Sequence, residues 1–112
     1  MKIEVKKLPE VPNICNQSLR EAWKSNDFSL AYVEADHPSF LHKHPFLELY
    51  YILRGRGIMQ LGEEQITVKE NDLIEIGPGV PHKLINITLV VTHLVIASPP
   101  FNSDGVEIID EK

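Results

Sequence analysis

From Phe28 to Ala97, short apolar runs rich in β-branched and aromatic residues are separated by glycine, asparagine and proline. The runs are FSLAYVEA, FLHKHPFLELYYIL (one strand or two), GIMQL, QITV, LIEI, HKLINI and LVVTHLVIA. Between them lie Arg54-Gly55, read as a tight turn, then Gly62-Glu63, Lys69 to Asp72, and Gly77-Pro78-Gly79. Short strands at regular spacing with such turn residues between them predict an all-β sandwich or barrel. Upstream, Pro9 and Pro12 argue against a long helix. Ile3 and Val5 alternate with charge, which predicts a short N-terminal strand. Residues 17–24 (QSLREAWK) read as one or two helical turns, with Leu19 and Trp23 on one face and Trp23 a lid or core residue. Beyond Pro99-Pro100 the acidic tail is expected to be loosely held, with VEII available as an edge strand, either here or on a second subunit.

A chain of 112 residues implies one domain over 1–112, with its strand core at about 26–98. The net charge of −5 is well mixed and there is no basic cluster, so neither nucleic acid nor an anionic membrane is an expected partner. No apolar run is long enough to span a bilayer. The start, MKIEVKKLPE, lacks the apolar core of a secretory signal. Cys15 is the only cysteine, so an intrachain disulfide is excluded and a cytoplasmic location is the default. Cys15 itself reads as a small, partly buried residue. No glycine-rich phosphate loop or nucleophile elbow is present.

The segment LHKHPFLELYYIL carries the chemistry. Side chains on a strand alternate faces, so His42, His44, Phe46, Glu48, Tyr50 and Ile52 share one side. Burying a carboxylate without a partner is costly. A cation held by imidazole and carboxylate removes that cost, and this donor set suits a divalent transition metal. The competing reading is a metal-free polar pocket, in which Glu48 pairs with a protonated histidine or a ligand hydroxyl. The odd positions (Lys43, Pro45, Leu47, Leu49, Tyr51, Leu53) are largely apolar, which predicts a cover of sheet, terminus or partner. His93, in an apolar strand, is a core histidine, a pocket-lining group or a partner to a ligand. His37, before Pro38, reads as surface. Phe46 and Tyr50 are core or substrate contacts.

Together with NDLIEIGPGVPHKLIN, this segment resembles the paired motifs of the cupin superfamily. The first appears as Asp36, five residues, His42-Lys43-His44, three residues, Glu48, six residues, Gly55. The second appears as Asn71, five residues, Gly77-Pro78-Gly79, two residues, His82, three residues, Asn86. Asp36 and Asn71 stand where the family has glycine, and both residue types tolerate turn geometry. The resemblance implies a double-stranded β-helix, the small jelly-roll barrel of cupins, and a homodimer. It implies a metal site of His42, His44, Glu48 and His82, with Fe, Mn, Ni, Co, Cu or Zn all compatible. It also implies a metal-dependent enzyme of isomerase, dioxygenase or decarboxylase type, acting on a small molecule such as a sugar or keto acid. Tyr50 and His93 are then candidate proton-transfer groups. The same stretch is similar to the ligand-binding domain of arabinose-type regulators, so the alternative is a non-catalytic sugar-binding or sensing module.

Overall fold

The computed structural model describes residues 1–109. Their strands are β1 (Ser18–Lys24), β2 (Ser29–Ala35), β3 (His42–Lys43), β4 (Leu47–Leu61), β5 (Glu64–Lys69), β6 (Leu73–Ile76), β7 (His82–Ser98) and β8 (Glu107–Ile108). All belong to one sheet, curled into a barrel. β4 and β7 run antiparallel along their whole lengths, from Leu47↔Ser98 to Leu61↔His82. β2 lies on the other side of the second half of β7, and β3 meets its first residue. β4 is flanked by β6 along its first half and by β5 along its second. The long strands therefore change neighbours midway, which rolls the sheet. The core lies inside: Ala35, Ile52, Met59, Val68, Ile74, Ile76, Leu84 and Val91. Each larger member contributes about 1.5–3 kcal/mol by burial.

Several sequence expectations are corrected. Residues 18–24 form an edge strand, not a helix, pairing with β2 from Ser18↔Glu34 to Lys24↔Ser29. So short a helix has too few internal hydrogen bonds to stand alone, whereas the open edge of β2 supplies partners at once. A register shift between Glu21 and Trp23 leaves Trp23 exposed, neither lid nor core. The expected N-terminal strand at Ile3 and Val5 is a 3-10 turn, Val5–Lys7. Arg54-Gly55 is not a hairpin turn. β4 passes through it with register shifts against β7, and Gly55 has φ +100. Likewise HKLINI and LVVTHLVIA are one strand, β7.

The tail is tied down as far as Ile109. β8 pairs with β3 of its own chain, the Ile109 amide donates to the Leu41 carbonyl at 2.9 Å, and the Phe101 amide donates to Ser29 Oγ at 2.9 Å. On the outer face of β4, Leu47 and Leu49 are half-buried, and Tyr51 and Leu53 are 38% and 36% exposed. Asn71 does adopt a left-handed conformation, φ 71, as its place in the motif requires.

Candidate metal centre

Backbone contacts bring the four motif side chains together. His42 lies on β3 directly opposite His82, the first residue of β7. His44 follows β3, where Pro45 ends the strand; Glu48 lies on β4. The Gly77-Pro78-Gly79 turn is clipped to this point, with the Gly79 amide donating to the His44 carbonyl at 2.8 Å. Gly79 has φ +77, a conformation that favours glycine. His42, His44 and His82 are buried, and one nitrogen from each lies within 4.8 Å of the others. Glu48, only 4% exposed, sits among them.

The hydrogen bonds determine which nitrogens face inward. His42 Nδ1 donates to the Phe40 carbonyl at 2.7 Å, His44 Nδ1 to Phe46 at 3.1 Å, and His82 Nδ1 to Val80 at 2.9 Å. Each ring thus spends its proton on backbone two residues away, and its Nε2 lone pair is left for an electrophile. Phe46 stacks on His44 with ring centres 4.0 Å apart and fixes its plane. His44 Nε2 lies 2.8 Å from Glu48 Oε1, and His82 Nε2 lies 3.4 Å from the same oxygen without making a hydrogen bond. Two lone pairs facing at such distances repel unless a proton or a cation lies between them. Adjacent donors about 2.0–2.2 Å from one ion stand roughly 2.8–3.6 Å apart in octahedral or tetrahedral shells. The two nitrogen–oxygen distances to Glu48 fall in that range, and the donor set fits a divalent transition metal. Burial raises the Glu48 carboxyl, but the polar contacts and positive potential of the His44 and His82 rings beside it outweigh burial and hold the group at about 2. Burial, with His82 nearby, lowers His42 to about 4, so its ring is neutral at pH 7.

This cluster forms one wall of a cavity of about 470 Å³ that His42, Glu48, Tyr50, His82 and His93 all line. Tyr50 bridges its two ends, its ring 6.2 Å from that of His82 and 4.8 Å from that of His93. Burial and the charge of Glu48 push the Tyr50 phenol well above its ordinary value. Phe46, by contrast, packs between His44 and Phe101. His37 is half-exposed and bonds to Asp36 at 2.6 Å. Sequence reading missed the N-terminal segment. Val11 to Cys15 and Gln17 line the cavity, and Cys15 Sγ lies 4.0 Å from His42 Nδ1. No spacing rule links residues so far apart in the chain, so the contact had no sequence signal.

His93 is 4% exposed, its Nδ1 has no hydrogen-bond partner, and burial lowers its pKa to about 4. A histidine depressed in the folded state takes up its proton first in the unfolded chain. Stability is complete above about pH 6.5 and falls as the pH drops toward 4. The contribution is on the order of 3 kcal/mol. His93→Gln is expected to flatten the acid side of the stability–pH curve, measured by denaturant unfolding of chelated protein. Parallel curves for variant and parent would remove this assignment.

A curled antiparallel barrel with imidazoles and a carboxylate converging inside it defines the class of protein. The family model described as "Cupin domain" matches residues 30–96, and the chain belongs to that family. An uncharacterized protein of Methanocaldococcus jannaschii is 42% identical over 82 residues, which cover 71% of this chain and 66% of that protein, just under two thirds of its length. Among solved structures, the polyketide cyclase RemF from Streptomyces resistomycificus superposes with a TM-score of 0.84 at 17% identity, covering 100% of this chain and 87% of that one. A single-substitution variant of Streptomyces Pac13 with uridine gives 0.83 at 16% identity, covering 97% and 90%; Pac13 is a nucleoside dehydratase. A cupin 2 conserved barrel domain protein from Rhodopseudomonas palustris gives 0.74 at 21%, covering 84% and 67%. No helix among the described residues is long and apolar enough to cross a membrane.

Proposed function

We propose that this cupin binds one divalent transition metal through His42, His44, His82 and Glu48 and is an enzyme acting on a small oxygen-bearing molecule. The observation that carries the reading is the set of three Nδ1–carbonyl hydrogen bonds, which leave the Nε2 lone pairs aimed at one point beside a buried carboxylate. When bound, such an ion supplies Lewis-acid polarisation of a substrate oxygen. The chain's own groups do the rest. His93, neutral at pH 7, accepts a proton at an imidazole nitrogen. Tyr50, undissociated between Glu48 and His93, donates one from its hydroxyl. Among the expected types, those that move protons, isomerisation above all, suit this pair best. That two structural neighbours are a dehydratase and a cyclase supports catalysis over passive binding.

The test is elemental analysis of untagged protein, followed by turnover of a sugar and keto-acid panel. One ion per chain is expected, with turnover lost in His44→Ala. Tyr50→Phe and His93→Gln are expected to lower kcat by about 10²–10⁴-fold with metal content unchanged. Loss of the ion in either variant would mean that the residue holds the site together and transfers no proton.

A second reading has its own observation. The 2.8 Å contact of His44 with Glu48 is also that of an imidazolium–carboxylate pair. A metal-free barrel would then bind its ligand for sensing or acid–base work. Protein without ion after growth in metal-replete medium favours this reading, and ligand-induced thermal stabilisation without turnover favours sensing.

The proposal retains a homodimer. Exposed Leu53, Leu73, Leu89 and Val90 supply apolar surface for a second copy. Light scattering is expected to give twice the 12.7 kDa chain mass; the single mass would remove the dimer. A reducing cytoplasm is the proposed setting, supported by the free Cys15.

A further inference from the structure

The cavity that the metal cluster opens into has a wall of unequal character. The surface it presents is largely apolar, from Leu19, Val33, Leu84 and Val95 on the strands and from Val11 and Ile14 on the N-terminal segment. Most of the polar residues around it are already engaged. Ser29 Oγ accepts the Phe101 amide and Ser39 Oγ the Leu84 amide. The Asn13 amide donates to the carbonyls of Val11 and Gln17, and its Oδ1 accepts the Gln17 amide. The Gln17 side-chain nitrogen donates to the His37 carbonyl. Glu21, exposed, and Lys83, half-buried, are the other charged residues of the wall. Polar atoms without a hydrogen bond inside are Gln17 Oε1, His82 Nε2 and His93 Nδ1. Of the residues that carry them, His82 and His93 are nine-tenths or more buried.

A sugar offers a hydroxyl on nearly every carbon, and each one buried without a partner costs free energy. The free buried partners of this wall are His82 Nε2 and His93 Nδ1, on either side of Tyr50, and Gln17 Oε1. The volume lies within the roughly 300–1,000 Å³ of small-molecule sites. Val11 and Ile14 are 40% and 38% exposed although they line the cavity, so a ligand with an apolar body would cover apolar surface there.

Building on the metal-site reading, we propose that the substrate class is an apolar-bodied molecule with a single oxygen-rich end, such as a hydroxy-acid or keto–enol group on a ring system, and not a sugar. Its polar end sits against Glu48, Tyr50 and His93. Its body lies under Val11 and Ile14 against Leu19 and Leu84.

The test compares two chelating probes, 1-hydroxy-2-naphthoate and gluconate, by calorimetric titration of metal-loaded and chelated protein. The naphthoate is expected to bind the metal-loaded protein at least about tenfold more tightly, with a negative heat-capacity change. Ile14→Ser and Val11→Ser change half-exposed positions, so folding is expected to persist. Each is expected to weaken naphthoate by about tenfold while leaving gluconate affinity and metal content as they were. Equal or tighter binding of gluconate would overturn the inference, as would naphthoate binding indifferent to both substitutions. Metal content is read separately. If no ion is taken up, the metal reading fails, yet weak naphthoate binding to the same protein, sensitive to Ile14→Ser, would still support the apolar-bodied class.

Discussion

Alanine at both His42 and His82 is expected to abolish stoichiometric metal binding while leaving the strand signal in circular dichroism intact. The two rings face each other across the β3–β7 pairing, their centres 4.2 Å apart. Removing both leaves one imidazole and one carboxylate, too few donors for a structural or catalytic transition-metal site. The strands themselves do not depend on these rings, because β4 and β7 pair over their full lengths. A metal that binds only the folded chain stabilises it by mass action, about 2.7 kcal/mol at a hundredfold excess over the dissociation constant. For a domain of this size that is a shift of roughly 10 °C or more in Tm. Chelation should therefore lower the Tm of the parent protein and leave that of the double variant unmoved. A double variant that still carries one ion per chain would mean that other side chains hold it.

Much of this site could be read from spacing alone. His42, His44 and Glu48 fall on alternate positions of one segment, and all three are buried on the inner side. His82 needed the motif resemblance, because the contact across β3 and β7 spans forty residues of chain, a distance no local periodicity encodes. Turn chemistry was legible at Gly62-Glu63 and at Asn71. It misled at Gly55, since a bulge and a hairpin both call for a residue tolerant of positive φ. The reading of residues 17–24 failed for a related reason. Leu19 and Trp23 match a helical period, but the free edge of β2, invisible in the sequence, decides the conformation. The N-terminal wall of the cavity was illegible, because it depends on how a proline-bearing segment folds back over a barrel mouth already formed.

Gly55→Ala is expected to destabilise the protein by on the order of 3–5 kcal/mol, far more than alanine at another motif glycine, Gly79. At Gly55 an added Cβ would lie 2.0 Å from the Val90 carbonyl oxygen and 2.7 Å from Val91 Cα. Both obstacles are backbone, so no side-chain rotation relieves them. The φ of +100 adds strain for any residue with a Cβ. At Gly79, φ is +77 but a Cβ meets nothing within 4 Å, leaving only the left-handed penalty of about 1–2 kcal/mol. The pair of substitutions thus separates steric obstruction from conformational preference, and denaturant unfolding of both measures it. Losses of equal size would show that the β4–β7 approach at Val90 is looser than the described backbone. The position matters beyond stability. Val91 is fully buried and lies two residues from His93, while Gly55 lies five residues from Tyr50 on the facing strand. Backbone pushed apart at Val90 moves the two cavity-lining side chains relative to each other. Glu48 and His82 lie toward opposite ends of the ladder, each well away from the Gly55–Val90 contact, so a Gly55→Ala protein that folds in the cold is expected to keep its metal and to lose turnover.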